Sequence, residues 1–214
     1  MGWSHSSLKM YETCARQYHA IRILKQYPRQ ESDATLYGTE VHAAAEEYTT
    51  NGTPIPEKYG FMRPIVEALM SKQGDKFAEL ELALDVNLQP CAWESPKAWV
   101  RGIIDLLILD GDLAWILDYK TGNDKYPDKD QLALMSLLTF AYYPEVQRVN
   151  AALLFVVKDS MVKAKYKRSD IDKLWWDYRE RVSKMESDKV WNPRQSGLCK
   201  KWCPVLSCEI NGRH

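Results

Sequence analysis

Charge of one sign is missing from this sequence: 29 Lys and Arg balance 29 Asp and Glu over 214 residues. That balance excludes a protein that coats nucleic acid through a uniformly basic surface, while leaving room for a local basic groove. Also missing is any apolar run long enough to span a bilayer, so no membrane association is expected. Met1-Gly2-Trp3-Ser4-His5 lacks the charged-then-apolar order of a signal peptide, and a cytoplasmic location is the expectation. No Gly-x-x-x-x-Gly-Lys-[Ser/Thr] occurs, which excludes a Walker-type motor within this sequence. Repeats and low-complexity segments are absent too. In a reducing compartment the five cysteines read better as metal ligands than as a disulfide framework.

What is present alternates between helical and strand patterning. Residues 4–24 carry Leu8, Tyr11, Ala15, Tyr18 and Ile21 at helical spacing behind a serine cap, and further helices are expected over about 35–48 and 57–73. Glu79 to Val86 alternates as a strand, with Leu80, Leu82, Leu84 and Val86 on one face and Glu79 and Glu81 on the other. Two apolar strands, Val100–Leu109 and Leu113–Tyr119, meet at Asp110-Gly111, a strong hairpin signal. A helix over 129–142, a buried strand over 149–157, a short edge strand over 162–166 and a last helix over 170–186 complete the chain. The expected fold is α/β: a mixed central sheet flanked by helices, as one domain. It comprises a helical portion at 1–75, a core sheet at 76–168, and a C-terminal helix with a cysteine cluster at 169–214. The run Lys158 to Arg168, with Tyr166 interleaved, is expected to be a surface that contacts a nucleic-acid backbone.

The hairpin carries charges inside its strands, where they are costly unless paired or metal-bound. Asp118 and Lys120 share one strand face, and the fold-back brings Asp105 beside Asp118. Two carboxylates that hold Mg²⁺ or Mn²⁺, with a lysine to orient water or stabilise a phosphorane oxyanion, suit phosphodiester hydrolysis. The Tyr119 carbonyl lies between the active side chains and is a further candidate ligand.

Gly102-x-x-Asp105 followed by Asp118-x-Lys120 resembles the PD-(D/E)XK nuclease core, with its restriction-endonuclease-like fold, in the RecB-like branch. Gly38-Thr-Glu-Val-His42 resembles that branch's Gly-x-x-x-His motif, which implies His42 as an additional metal ligand. Gln131 matches the glutamine of its Gln-x-x-x-Tyr motif and is implied as a site-positioning residue. The tyrosine position is Met135, for which Tyr142 or Tyr143 would have to compensate. Of the strand acids before the hairpin, Glu81 is the better candidate to approach the metals because it lies deeper in the alternating run; Glu79 is the other.

Cys199, Cys203 and Cys208 put three thiols within ten residues, a density that points to zinc or an iron–sulfur cluster. Cys14, Cys91 and His214 are the candidates for a fourth ligand. The resemblance narrows this. AddB nuclease domains and CRISPR-associated RecB-like exonucleases hold a 4Fe-4S cluster with one cysteine before the core and three after it. Cys14-Ala15-Arg16-Gln17-Tyr18 is similar to their Cys-Pro-Arg-x-Tyr signature. The resemblance thus implies a structural cluster on Cys14, Cys199, Cys203 and Cys208, with spacings in the last three that differ from the commonest pattern. It implies a metal-dependent exonuclease of single-stranded DNA or DNA ends, in a bacterial cell or phage-infected host, serving recombination, end processing or phage DNA metabolism. A recombination or CRISPR-adaptation protein would be the partner, and Trp3, Trp93, Trp99 and Trp202 the candidates for stacking bases. The alternatives are a non-catalytic DNA-binding adaptor on the same fold and a zinc-stabilised interaction protein.

Overall fold

A computed structural model describes residues 2–27 and 32–212. His214 lies outside the described residues. The chain divides into two compact units, residues 32–174 with Gly2 in one, residues 3–27 and 175–212 in the other. Residues 3–27 therefore group with the C-terminal stretch and not with the helices that follow them in sequence.

The larger unit is an α/β sandwich on a six-stranded mixed sheet. Its strands are β1 (Asp75–Leu84), β2 (Pro90–Cys91), β3 (Val100–Asp110), β4 (Leu113–Lys120), β5 (Arg148–Phe155) and β6 (Ser160–Lys167), in the spatial order β2-β1-β3-β4-β5-β6. Every neighbouring pair is antiparallel except β4 and β5. The β3–β4 hairpin closes at Asp110-Gly111, where Gly111 takes the left-handed φ of 58° that a side chain would oppose. Parallel strands cannot share a tight turn, and the helix Asp130–Tyr142 supplies the crossover from β4 to β5. Residues Leu132 to Phe140 of that helix are buried without a break, as in a helix covered all round. It lies close on β3 at Gly102, where even a Cβ would come within 2.6 Å of Leu138.

The opposite face of the sheet is covered by the helices Asp33–Asn51 and Arg63–Met70. Val41, Ala45, Met62, Val66 and Leu69 pack there against Leu106, Ile108, Leu117, Tyr119 and Leu154. A fully buried valine or leucine contributes roughly 1.5–3 kcal/mol, so this interlayer core fixes the strand faces strongly. The helix expected over 57–73 is shorter than its pattern: residues Glu57–Met62 form a 3-10 turn, and Pro64 in the first turn marks where the α-helix begins. β1 runs from Asp75 to Leu84, earlier than the alternation suggests, leaving Val86 outside the strand and exposed.

In chain order the helices are α1 (His5–Thr13), α2 (Ala15–Tyr18), α3 (Asp33–Asn51), α4 (Arg63–Met70), α5 (Asp130–Tyr142) and α6 (Ile171–Ser187). The smaller unit holds α1, α2, the π-turn His19–Ile23, most of α6 and the cysteine-bearing stretch. The single helix expected over 4–24 is broken at Cys14, whose extended backbone (φ −162°, ψ 110°) separates α1 from α2. Glu12 of α1 and Arg181 of α6 form a two-pronged ion pair at 2.6 and 2.9 Å. Trp3 stacks on Tyr178 with ring centroids 5.7 Å apart. Among the described residues, no helix is long and apolar enough to cross a membrane.

Candidate active site

The strand ladders on both sides of β3 are interrupted at one residue, Asp105. Towards β1 the pairing passes from Ala78↔Leu106 to Leu80↔Ile104 and skips Glu79 and Asp105. Towards β4 it stops at Leu106↔Leu117, one step short of Asp105 and Asp118. The Asp105 carboxylate takes over from the missing ladder by accepting the Tyr119 N–H at 2.7 Å. The sheet is thus opened at the point where the sequence places its carboxylates.

Three ligand-type side chains converge on this opening: His42, Glu79 and Asp105, whose donor atoms all lie within 4.8 Å of one another. His42 reaches it from α3, a helix capped at its start by the Ser32 side chain and ended by left-handed Gly52. Its Nε2 stands 2.7 Å from the Tyr119 carbonyl oxygen, with Nδ1 3.3 Å from Asp105 and 3.6 Å from Glu79. Gly38, one helical turn before His42, lets α3 approach the chain just beyond β4: a Cβ there would meet Thr121 Oγ1 at 3.3 Å. Partial burial of the His42 ring works against its charged form. Hydrogen bonding to Asp105 and Glu79, with the negative charges of Asp105 and Asp118, outweighs that, and its pKa is raised to about 10.

Glu79, and not Glu81, joins the group. Glu79 has a left-handed backbone (φ 45°), a conformation that costs a non-glycine residue on the order of 1–3 kcal/mol. Glu81 is in regular ladder register with Ile103, and its side chain is exposed. Strict alternation gave both acids the same face, and nothing in the sequence announces the twist at Glu79.

Behind Asp105 sits a second group. Asp118 is 1% exposed. Its Oδ1 accepts a hydrogen bond of 2.6 Å from Gln131 Nε2, and Gln131 Oε1 in turn accepts one of 2.9 Å from Lys120 Nζ. Lys120 Nζ is 2.6 Å from Asp118 Oδ2, so this buried oxygen faces the ammonium as its counter-charge. Burial first, and then the Asp105 charge, push the Asp118 carboxyl up, against the pull of Lys120. A buried carboxylate beside a His-Glu-Asp group and a backbone carbonyl is a donor set that fits a hard divalent cation.

Met135 is buried in α5, and neither nearby tyrosine reaches the site in its place. The Tyr142 hydroxyl is engaged at the β1–β2 edge, 2.9–3.3 Å from the backbone of Ala83 and Cys91, and the Tyr143 ring packs near Phe77. Trp3 is 2% exposed, which removes it from the candidates for base stacking. Trp202 is well exposed; Trp93 and Trp99 are half-buried.

A family model for the PD-(D/E)XK nuclease superfamily matches residues 2–208. The chain belongs to this superfamily. Among solved structures, this nuclease chain is similar to one described as "Putative exonuclease" from Eubacterium rectale, at 13% identity and a TM-score of 0.50, over 92% of this chain and 85% of that one. It is also similar to a structure described as SSO0001, at 14% identity and a TM-score of 0.44, over 98% and 87% of the two chains. At such identities the likeness concerns the fold alone. No curated protein matches.

In the smaller unit of this nuclease, Cys14, Cys199, Cys203 and Cys208 come together, and no disulfide joins them. Burial raises the Cys203 thiol pKa first, and the neighbouring Cys14, Cys199 and Cys208 raise it further. Backbone N–H groups point at two of the sulfurs: Arg194 N–H at Cys14 Sγ and Ser196 N–H at Cys199 Sγ, both at 3.4 Å. Cys91 is on β2 in the other unit, apart from the four.

Proposed function

We propose that this nuclease is a Mg²⁺- or Mn²⁺-dependent DNA exonuclease of the RecB-like branch, acting on single-stranded DNA or DNA ends. The observation that carries the reading is the convergence of His42, Glu79 and Asp105 on the opening in the sheet, backed by buried Asp118 and its lysine. His42, Glu79, Asp105, Asp118 and the Tyr119 carbonyl would hold the metal. A bound ion supplies charge neutralisation at the scissile phosphate and acidifies a water molecule. Lys120 then orients the attacking water and stabilises negative charge on the phosphoryl oxygens. Gln131 holds Lys120 and Asp118 in register through one amide, its N–H donating to the acid and its carbonyl accepting from the ammonium.

Two substitutions separate these roles. Gln131→Ala should lower cleavage by about 10–100-fold, the usual effect of removing a side chain that positions ligands. Glu79→Gln should weaken Mn²⁺ binding at least tenfold by titration calorimetry, whereas Glu81→Gln should stay within about twofold of the unaltered protein. Equal effects of the two would remove Glu79 from the site. The overall reading is tested with 5′- and 3′-labelled single- and double-stranded DNA. Progressive shortening from an end with Mn²⁺ supports it, and internal cuts in circular single strands would make the protein an endonuclease.

For the four cysteines we propose a structural 4Fe-4S cluster. What supports a shared site is that Cys14, Cys199 and Cys208 all lie near enough to Cys203 to act on its thiol. Iron and acid-labile sulfide in the purified protein support this, and stoichiometric zinc without sulfide would replace it with the zinc alternative.

A further inference from the structure

The loop from β4 to α5 is tied to the candidate site at both ends. It leaves the sheet at Lys120 and returns at Gln131, and the side chains of these two residues are joined by the 2.9 Å hydrogen bond from Nζ to Oε1. Between them the loop is held along its length. Asn123 Oδ1 accepts the Lys125 N–H at 2.8 Å, Asp124 Oδ2 accepts the Ser160 hydroxyl of β6 at 2.7 Å, and Asp128 Oδ1 accepts the Asp130 N–H at 3.2 Å. The carboxylates of Asp124 and Asp128 are thus engaged by the protein itself. The Tyr166 hydroxyl donates to the Lys129 carbonyl at 3.4 Å, so Tyr166 anchors this loop instead of interleaving with the lysines of its own strand.

Tyr126, near the middle of the loop, takes no part in these hydrogen bonds. It is 84% exposed, against 41% for Phe61 and 37% for Tyr37, the other large exposed aromatics of the larger unit. Pro127 after it disfavours helical backbone at this position and keeps the chain extended there. An aromatic ring left in water forgoes the gain that its burial would bring, and a loop anchored on both sides of it presents that gain to whatever the site binds. Tyr126 stands five residues before Gln131. That is at most about 17 Å at full extension, the length of about five stacked nucleotides at about 3.4 Å each.

The strand that the site would cleave therefore passes within reach of the ring. A nucleotide offers a flat base and an anion together, and Lys125 Nζ, 5.5 Å from the centre of the Tyr126 ring, sets a cation beside an aromatic face. Duplex DNA keeps its bases paired and stacked inside, whereas a single strand can lay one on the ring. The tryptophans that the sequence nominates for stacking are less suited: Trp3 is buried, Trp93 and Trp99 are half-buried, and Trp202 belongs to the other unit.

We propose that Tyr126 stacks on a base of single-stranded DNA a few nucleotides from the scissile phosphate, and that this contact selects single strands over duplex. The assignment rests on the nuclease reading of the site and adds to it the residue that sets strand preference.

The test uses the full-length protein and three dye-labelled probes read by anisotropy without added metal. These are a single-stranded oligonucleotide, an abasic strand of the same length and a blunt duplex. The single strand should bind the unaltered protein at least tenfold more tightly than the abasic strand does, a comparison that needs no variant. Tyr126→Ala should weaken the single strand about tenfold and the other two probes less than twofold, so that loss of the ring and loss of the bases do not add. Tyr126→Trp keeps a stacking face and should restore binding to within threefold. With Mn²⁺, Tyr126→Ala should raise KM for the single strand about tenfold and leave KM for the duplex within twofold. The proposal is overturned if Tyr126→Ala binds the single strand as the unaltered protein does, or if it loses the abasic strand or the duplex equally. It is also overturned if Tyr126→Trp binds no better than Tyr126→Ala. A protein that shows the expected binding but cuts no DNA with Mn²⁺ would remove the nuclease reading and leave the stacking contact in place.

Discussion

Asp118→Asn should slow DNA cleavage by at least about a thousandfold, equivalent to roughly 4 kcal/mol of transition-state stabilisation, while leaving the fold intact. The side chain is the right size and keeps its contact with Gln131, but it removes the charge that would hold the cation. The stability of the metal-free protein should move the other way. Burial and Asp105 raise the Asp118 pKa, so its charged form is disfavoured in the folded chain, and the destabilisation grows as pH rises through the folded value. A neutral amide relieves this at pH 8. Lys120, deprived of its partner, is one-third exposed and can turn to water. The variant should therefore melt at or above the Tm of the unaltered protein, by about 2–4 °C for each kcal/mol relieved. Mn²⁺ should raise the Tm of the unaltered protein and have little effect on the variant. Lys120→Met is the complementary case: it should retain the Mn²⁺-induced rise in Tm and lose turnover. Cleavage by Asp118→Asn within tenfold of the unaltered rate would sink the assignment of Asp118.

The second large effect is expected in the other unit. Cys203→Ser should abolish the visible absorbance of the proposed cluster and unfold the cysteine-bearing stretch 188–212. The apolar group around the cysteines is small: Ala20, Val205 and Cys208 are buried there, with Tyr27, Cys203 and Ile210 packed against them. A group of that size cannot by itself hold the stretch 188–212 against its chain entropy, whereas α1 and α6 keep their own buried residues, among them Trp3, Leu8, Tyr178, Val182 and Met185. Structural metal sites contribute on the order of 10 kcal/mol in small metal-folded domains, as much as the whole stability of many proteins. Circular dichroism should show α1 and α6 retained, and limited proteolysis should cut first within 188–212. Cys91→Ser, in the sheet unit, should retain both colour and melting temperature. A Cys203→Ser protein that keeps its colour and its Tm would show that Cys203 holds nothing.

Most of the architecture was legible in the sequence because it rests on periodicity and turn chemistry. The Asp110-Gly111 hairpin, the buried run of β5 and the helical spacing of α3, α5 and α6 are local patterns, and the structure forms each within a few residues of its expected bounds. The departures arose where backbone geometry overrides local pattern. The N-terminal helix breaks at Cys14, whose extended conformation no side-chain periodicity signals. β1 begins four residues before Glu79, since its first residues follow no strict alternation. Met135, at the place where a tyrosine was expected, is a core residue of a helix buried all round.

For the candidate site the division is equally physical. The spacing of Asp105, Asp118 and Lys120 on a hairpin made their approach readable, because strand alternation and a two-residue turn fix which side chains can meet. The choice of Glu79 over Glu81 depended on one left-handed φ. The counter-charge on the buried Oδ2 of Asp118 depended on where the Lys120 ammonium comes to lie. The sequence by itself determined the superfamily core, the hairpin and the identity of its charged residues, all of which follow from short-range pattern. Only the tertiary structure decided which acid lies beside His42 and Asp105, which tyrosines lie out of reach, and that four cysteines from opposite ends of the chain converge. Those outcomes hang on contacts between residues distant in sequence, and on single torsions that residue type does not encode.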